Sequence, residues 1–488
     1  MHRLIPLLAL VLVLCAPGPP TDSQERARGG ASAQPAPPAS ATNNVLILVT
    51  DDQGIDQVGV YDEHPNPPPT PNIDRLAAEG VLFRNAWASP TCSPSRGAIL
   101  TGRLPRRTGV GSVIHPRQEY ELPLSEVAMP RMLEGASQQW ATVAIGKWHV
   151  AGRSSKHSFR HPNLVGFDHY SGTIANIGRA DRKRYGDLSY EHWEKVTDGK
   201  RSLCEVYATT DTVDEALKHI RTLPEPWLVY VAFNAPHSPW HVPPKRLHNQ
   251  DLGPDASDAD KYRAMVEALD TEIGRLLREL GPKRESTTVI FLSDNGTPDE
   301  TTLPPWSADR AKNTPFEGGV NVPLIISGPQ VSQPGSESGA LVHVVDVFAT
   351  VADIAGVALG PTAKGPMQDV TIDGRSLLPH VRDASAAGRK VVHTEKFAPN
   401  GQGQHKRIDW RISRNAELKL IDSNEHGFRL WDIRDGRDQG AGMRPREVAD
   451  ELRASWRQLR KAHKRHFGGD SPGKDAPHSA YGPTPRGR

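Results

Sequence analysis

The run Val45-Leu46-Ile47-Leu48-Val49 leads directly into Thr50-Asp51-Asp52-Gln53-Gly54. An unbroken apolar stretch rich in β-branched residues, without polar alternation, predicts a strand buried on both faces. Two adjacent carboxylates where it stops place charge at one edge of a sheet. The pattern recurs along the chain. Ala141-Thr142-Val143-Ala144-Ile145 runs on to Lys147 and His149, Trp227 to Phe233 runs on to His237, and Thr288 to Leu292 runs on to Asp294-Asn295. Pro323-Leu324-Ile325-Ile326 is a fifth such run. Helical segments are expected between them at Asn72 to Glu79, Thr212 to Leu223 and Ala259 to Leu280. The last carries Met265, Leu269, Ile273, Leu276, Leu277 and Leu280 on one face. Strand and helix alternation predicts an α/β fold around a large mixed, mostly parallel sheet flanked by helices.

In such a sheet, ligands bind beyond the carboxyl ends of the parallel strands. One acidic residue at a strand exit is an ordinary helix cap; four polar exits on four parallel strands converge on a site. Asp51, Asp52, Asp294 and the amide of Asn295 form an all-oxygen set suited to a hard cation, Ca²⁺ before Mg²⁺, rather than zinc. Arg96, Lys147, His149, His237 and Lys312 form a second, cationic group suited to a tetrahedral oxyanion, sulfate or phosphate.

Cys92 separates those two chemistries. It stands in Ser89-Pro90-Thr91-Cys92-Ser93-Pro94-Ser95-Arg96-Gly97-Ala98-Ile99-Leu100-Thr101-Gly102-Arg103. Cys-x-Pro-Ser-Arg followed by Leu-Thr-Gly-Arg resembles the signature of the type I sulfatases of the alkaline phosphatase superfamily. Asp51-Asp52-Gln53-Gly54, Gly146-Lys147-Trp148-His149, Pro236-His237, Ser293-Asp294-Asn295-Gly296 and Lys312 through Glu317-Gly318-Gly319 resemble further segments of that family. The chain departs from it at Val150-Ala151, where Leu-Gly is usual, and at Asn321, where Arg is common. The resemblance implies the family's fold over residues 43–360. It also implies that a formylglycine-generating enzyme converts Cys92 to formylglycine (3-oxoalanine), which with Asp51, Asp52, Asp294 and Asn295 holds one divalent cation.

By the same resemblance, the catalytic residues are Cys92, Arg96, Lys147, His149, His237 and Lys312. Residue 92 acts as an aldehyde hydrate. One hydroxyl, oriented by Arg96, attacks sulfur while Asp294 accepts its proton. Lys147 and Lys312 offset charge on the sulfuryl oxygens, and His237 with Lys312 protonates the departing alcohol. His149 then takes the proton of the second hydroxyl, which expels sulfate and restores the aldehyde. The expected substrates are aryl sulfates or sulfated glycans. Two alternatives remain open from the sequence: a formylglycine-dependent phosphate or phosphonate ester hydrolase, and a catalytically inactive protein that binds sulfated glycans.

The rest of the chain bounds this reading. Lys and Arg number 59 against 57 Asp and Glu, so bulk charge gives no case for a nucleic-acid partner. Met1-His2-Arg3 and the apolar run Leu4 to Leu14 read as an export signal over residues 1–16, too short to span a bilayer. The expected location is periplasmic, cell-surface or secreted. Leu12-Val13-Leu14-Cys15 is an imperfect lipobox, so the only membrane association expected is a lipid anchor at Cys15. Residues 17–42 read as a Pro/Ala/Ser-rich linker and 468–488 as a disordered tail. Of the three cysteines, only Cys92 and Cys204 lie beyond the signal region, which allows at most one disulfide; Cys204 reads as a small buried hydrophobe. Arg179, Arg182, Lys183 and Arg184 form a basic cluster, read as a solvated loop ahead of a contact for a polyanionic glycan. From 361 to 467 a smaller subdomain is expected. Arg411 to Ser413, Leu418 to Ile421 and Phe428 to Trp431 give it an antiparallel sheet, and Pro445 to His466 a basic helix.

Overall fold

The computed structural model describes residues 43–178, 182–402, 407–423 and 427–468. The expected signal, linker and tail beyond Gly468, with Cys15 and Arg179, lie outside the described residues. Ten strands form one sheet. They are β1 Asn44–Thr50, β2 Gly80–Trp87, β3 Ala141–Lys147, β4 His169–Thr173, β5 Trp193–Thr197, β6 Lys200–Cys204, β7 Trp227–Ala232, β8 Thr287–Ser293, β9 Leu324–Ser327 and β10 Ser336–His343. Their spatial order is β10-β2-β9-β8-β1-β7-β3-β4-β5-β6.

The block β8-β1-β7-β3-β4 is parallel throughout. The four strands with polar exits are thus consecutive neighbours, and all four exits fall on one edge. β9 runs antiparallel to both β8 and β2, so the Pro323 to Ile326 run brings no group to that edge. Antiparallel pairing also adds β5 and β6 beyond β4.

The lack of alternation along β1 has a direct cause. Val45, Ile47 and Val49 enter one apolar cluster while Leu46 and Leu48 enter another, on the opposite face. The helices Pro71–Ala78, Ala208–Thr222 and Asp258–Glu279 cover the Leu46 face through Leu76, Val213, Leu217, Leu269 and Ile273. Cys92–Thr101 and Asp346–Ile354 cover the other through Ile99, Leu100, Phe348 and Val351. Asp258–Glu279 opens on a capping box: the Asp260 amide donates to Ser257 Oγ, and the Ser257 amide donates to the Asp260 carboxylate. Among the described residues no helix is long and apolar enough to cross a membrane.

A four-stranded antiparallel sheet follows, from β11 Val392–Ala398, β12 Arg407–Arg414, β13 Leu418–Ser423 and β14 Gly427–Asp432. The terminal helix spans Arg453–Phe467 and does not begin at Pro445. Pro445–Glu447 is an isolated 3₁₀ turn, closed by the Arg444 amide donating to Glu447 at 2.7 Å. Val448 then extends to bury itself against Leu418, Leu420 and Leu430, which breaks the helical path.

The two sheets meet at a buried ion network. Glu317 accepts from Arg414 of β12 at 2.7 Å and from Lys419 of β13 at 3.0 Å, and Lys419 also reaches Asp438 at 2.7 Å. Lys419 has no exposed side-chain surface. Removing one member of a buried network strands the others without compensation. Lys419→Met should therefore lower unfolding free energy by about 3–5 kcal/mol in urea titration. A loss below about 1 kcal/mol would mean that the network carries no such charge.

Candidate active site

Cys92 is the first residue of the Cys92–Thr101 helix, every residue of which is buried. Pro94 is tolerated because the amides of a first helical turn have no intrahelical partner. Gly102, at φ 66°, ends the helix in the left-handed region; a Cβ there would meet the Phe348 ring at 2.8 Å. The Leu-Thr-Gly-Arg tetrapeptide therefore closes this helix, and its Arg103 pairs with Glu126 at 2.8 Å. Cys92 Sγ lies 3.6 Å from Asp51 Oδ1, across the parallel edge.

The carboxylates and cations expected as two separate groups form one interleaved network. Arg96 donates through Nε to Asp294 at 2.8 Å and through a second nitrogen to the Lys147 carbonyl at 2.8 Å. Lys147 Nζ pairs with Asp51, and Lys312 Nζ pairs with Asp52 at 2.5 Å. The physical reason is burial: Asp51, Asp294, Arg96 and Lys147 have no exposed side-chain surface, and unpaired charges there would be too costly. His237 Nε2 stands 3.6 Å from Asp52 Oδ2. His149 is buried beside this group, and its Nδ1 has no hydrogen-bond partner among the described residues.

Backbone shape serves the same end. Asp52 and His149, both at strand exits, sit at φ 69° and 55°, a left-handed conformation that residues with a Cβ rarely adopt and that clusters at functional sites. Gly146 must be glycine, since a Cβ would come within 1.9 Å of the Ala232 carbonyl oxygen where β3 and β7 pair. That close approach sets the position of Lys147 one residue on.

Electrostatics follow from burial. Burial raises Asp294 to about 6, with the Asp51 charge adding to it. Burial would also raise Asp52, but Lys312, His237 and Lys147 hold it well below the usual carboxylate range. Burial lowers His149 well below the ordinary histidine value, with Lys147 and Arg96 adding to it, and lowers His237 to about 3. The unmodified Cys92 thiol is pushed up by burial and is therefore protonated.

For a divalent cation the donor set fits. Asp51, Asp52, Cys92 and His237 each offer one ligand atom, all within 4.8 Å of one another. Asn295 donates its Nδ2 to Asp52 at 2.8 Å, which leaves its buried Oδ1 without a partner among the described residues and able to ligate. Asp294 Oδ1 accepts the Asp52 amide at 3.3 Å, so it borders the same point. Hard oxygen donors predominate, as Ca²⁺ or Mg²⁺ requires. Most of the site is sealed. The openings are at His237 and Lys312, with side chains 15% and 18% exposed.

Two neighbours carried no sequence signal. Asn176 Nδ2 lies 3.1 Å from His237 Nε2, and Tyr190 donates its hydroxyl to the Asn234 and His237 carbonyls at 2.6 and 2.7 Å. Asn176 follows β4, whose His-Tyr-Ser-Gly-Thr lacks an apolar run. Cys204 is free and only half-buried, on edge strand β6, 3.6 Å from Asp211 Oδ1, so it is not a core residue. Cys92 is free too, and no disulfide joins them. Asn321 is buried and donates to the Arg84 carbonyl at 3.2 Å. Arg184, from the basic cluster, is exposed.

A family model described as Sulfatase matches residues 43–357, the span that holds every one of these groups. The chain belongs to the sulfatase family. It is 32% identical over 421 residues to human N-acetylgalactosamine-6-sulfatase, covering 80% of this chain and 74% of that one. It is 28% identical over 410 residues to mouse arylsulfatase G, covering 73% and 71%. Among solved structures, it superposes on BT4656, in complex with its substrate D-glucosamine-2-N,6-O-disulfate, with TM-score 0.67 at 20% identity over 88% of this chain and 99% of that one. PsFucS1 sulfatase from Pseudoalteromonas sp. gives 0.63 at 24% identity over 88% and 92%. These likenesses carry the fold. Family membership makes the chain a hydrolase of sulfuric esters.

Proposed function

We propose that this sulfatase removes sulfate from a sulfated sugar, with residue 92 matured to formylglycine and its hydrate as nucleophile. The observation that carries this reading is the position of Cys92, at a helix start inside the buried acid–base network, 3.6 Å from Asp51 and one turn before Arg96. Sulfated sugars are favoured because relatives and fold neighbours are named for them. A formylglycine-generating enzyme would mature the chain. The N-terminal signal would export it, with a lipid anchor at Cys15 as the one membrane link.

Asp51, Asp52, Asp294, Asn295 and residue 92 would hold the cation. A bound Ca²⁺ or Mg²⁺ supplies positive charge against the sulfuryl oxygens. Arg96 orients the attacking hydroxyl, and Asp294, held by Arg96 at 2.8 Å, takes its proton. Sulfuryl oxygens lie against Lys147 and Lys312. The alcohol departs toward the opening at His237 and Lys312, where His237, kept neutral by burial, relays to it a proton held on Lys312. His149, kept neutral by burial, is a base for the second hydroxyl.

The test is a comparison of matched sugar sulfates, aryl sulfates and aryl phosphates. Wild type should prefer the sulfates. His237→Ala should cost about 10²–10⁴-fold on sugar sulfates and less on activated aryl sulfates, which need little protonation. His149→Ala should impair turnover on both, with a sulfated residue 92 visible in intact-protein mass spectra. Preference for phosphates would favour the phosphate or phosphonate ester reading. Equal losses in both variants on every substrate would remove the division of labour.

A further inference from the structure

A second cluster of donor groups lies at the far end of the parallel block from the active site. His169 is the first residue of β4, whereas the catalytic groups leave the opposite, carboxyl ends of the strands. Glu215 and His219 stand four apart on the Ala208–Thr222 helix and so share one face. His169 and His219 have ring centroids 4.1 Å apart, and His219 Nε2 is 3.7 Å from Glu215 Oε2. One donor atom from each of the three residues lies within 4.8 Å of the others.

Two features distinguish this from a chance contact of histidines. First, His169 Nε2 and His219 Nε2 are both shielded from solvent and without a hydrogen-bond partner among the described residues. Buried polar nitrogens are ordinarily paired, so two adjacent orphans need an explanation. Second, the other nitrogen of His169 is already committed. His169 Nδ1 lies 2.8 Å from Asp198 Oδ2, and Asp198 is itself held by the Tyr170 amide at 2.8 Å and Asn163 Nδ2 at 2.9 Å. A carboxylate behind one ring nitrogen, with the other left bare, is how metal-ligating histidines are oriented.

We propose that His169, His219 and Glu215 form a second metal site, for a zinc-class transition ion, that clips β4 to the Ala208–Thr222 helix. Two imidazoles and a carboxylate suit zinc, where the oxygen-rich active site suits Ca²⁺ or Mg²⁺. Ligands about 2.0–2.2 Å from a tetrahedral ion stand about 3.4 Å apart, close to the 3.7 Å between His219 Nε2 and Glu215 Oε2. All three side chains are roughly a fifth exposed, and a water would supply the fourth ligand. Burial and the neighbouring His169 lower His219, which keeps it a neutral ligand. Glu215 is steadied by Lys195 at 3.1 Å, a lysine also paired with Asp211, while the exposed Lys218, 3.3 Å from Glu215 Oε2, is able to swing away.

The test titrates Zn²⁺ alone into the full chain with Ca²⁺ and Mg²⁺ in excess, so that the active site is filled. Wild type should bind one zinc that His219→Ala and His169→Ala lose, with sulfatase turnover unchanged. Asp198→Asn should weaken zinc about 10–100-fold, as loss of a ligand-orienting carboxylate does. In wild type, Co²⁺ in place of zinc should give the strong visible absorption of a four-coordinate site, a readout that needs no variant. Equal zinc binding by wild type and His219→Ala, or bound Co²⁺ without that absorption, would overturn the site.

Discussion

Replacing Cys92 with Ser should lower turnover by about 10⁴-fold or more, the scale of losing a catalytic nucleophile, and should leave the protein sulfated at residue 92. Serine occupies nearly the same volume, and the Cys92–Thr101 helix is packed on all sides, so the fold should survive. Its hydroxyl can still attack sulfur from the position of the thiol, 3.6 Å from Asp51. It cannot finish the reaction, because a seryl sulfate has no second hydroxyl from which His149 could take a proton. An aldehyde hydrate would have one, and on the proposed mechanism that difference is why serine would not suffice. Kinetics on a sugar sulfate, together with the intact mass after mixing, would check it. Near wild-type turnover from Cys92→Ser would show that residue 92 needs no second hydroxyl.

The second large effect is expected from removing the cation or one of its holders. Asp51→Asn keeps the shape of the side chain and removes its charge, which leaves Lys147 buried without its carboxylate partner. Turnover should fall by about 10³-fold or more, since a metal that neutralises developing charge is worth several kcal/mol. The loss should be partly recovered at high Ca²⁺ or Mg²⁺, because the defect is mainly in affinity. In wild type, exhaustive chelation should abolish turnover and either ion should restore it. Full activity after chelation, or recovery with zinc alone, would contradict the all-oxygen reading of the site.

Much of this was legible from β1 outward. Its apolar run lacks alternation because β1 sits inside the parallel block, with a core on each face, and its polar exit faces the candidate site along that edge. β3, β7 and β8 are its near neighbours and show the same pattern for the same reason. Strands on the margins were less readable. β5 and β6 carry Glu194, Lys195, Lys200 and Arg201 because they lie at the edge beyond β4, and β9 runs antiparallel, which a short apolar run does not encode.

The candidate residues stand out in the sequence by type and motif, but their pairing does not. Sequence separates Arg96 from Asp294 and Lys312 from Asp52 by about two hundred residues or more, so the cations and carboxylates looked like two groups. Only the fold interleaves them. Asn176 and Tyr190 escaped for a different reason: each acts on His237 through a single hydrogen-bonding group from a loop beyond β4, without a surrounding pattern. Sequence alone starts the terminal helix too early because Pro445 is a good first-turn residue, while the burial of Val448 that prevents it is a tertiary effect.

The most direct test of the mechanism is the mass of the peptide containing residue 92, from protein co-produced with a formylglycine-generating enzyme, measured alongside turnover. A formylglycine nucleophile predicts CHO in place of CH₂SH at residue 92, a converted fraction that rises in proportion to turnover across preparations, and loss of both on replacing Pro94 or Arg96. Full turnover from protein whose Cys92 thiol is intact would contradict it.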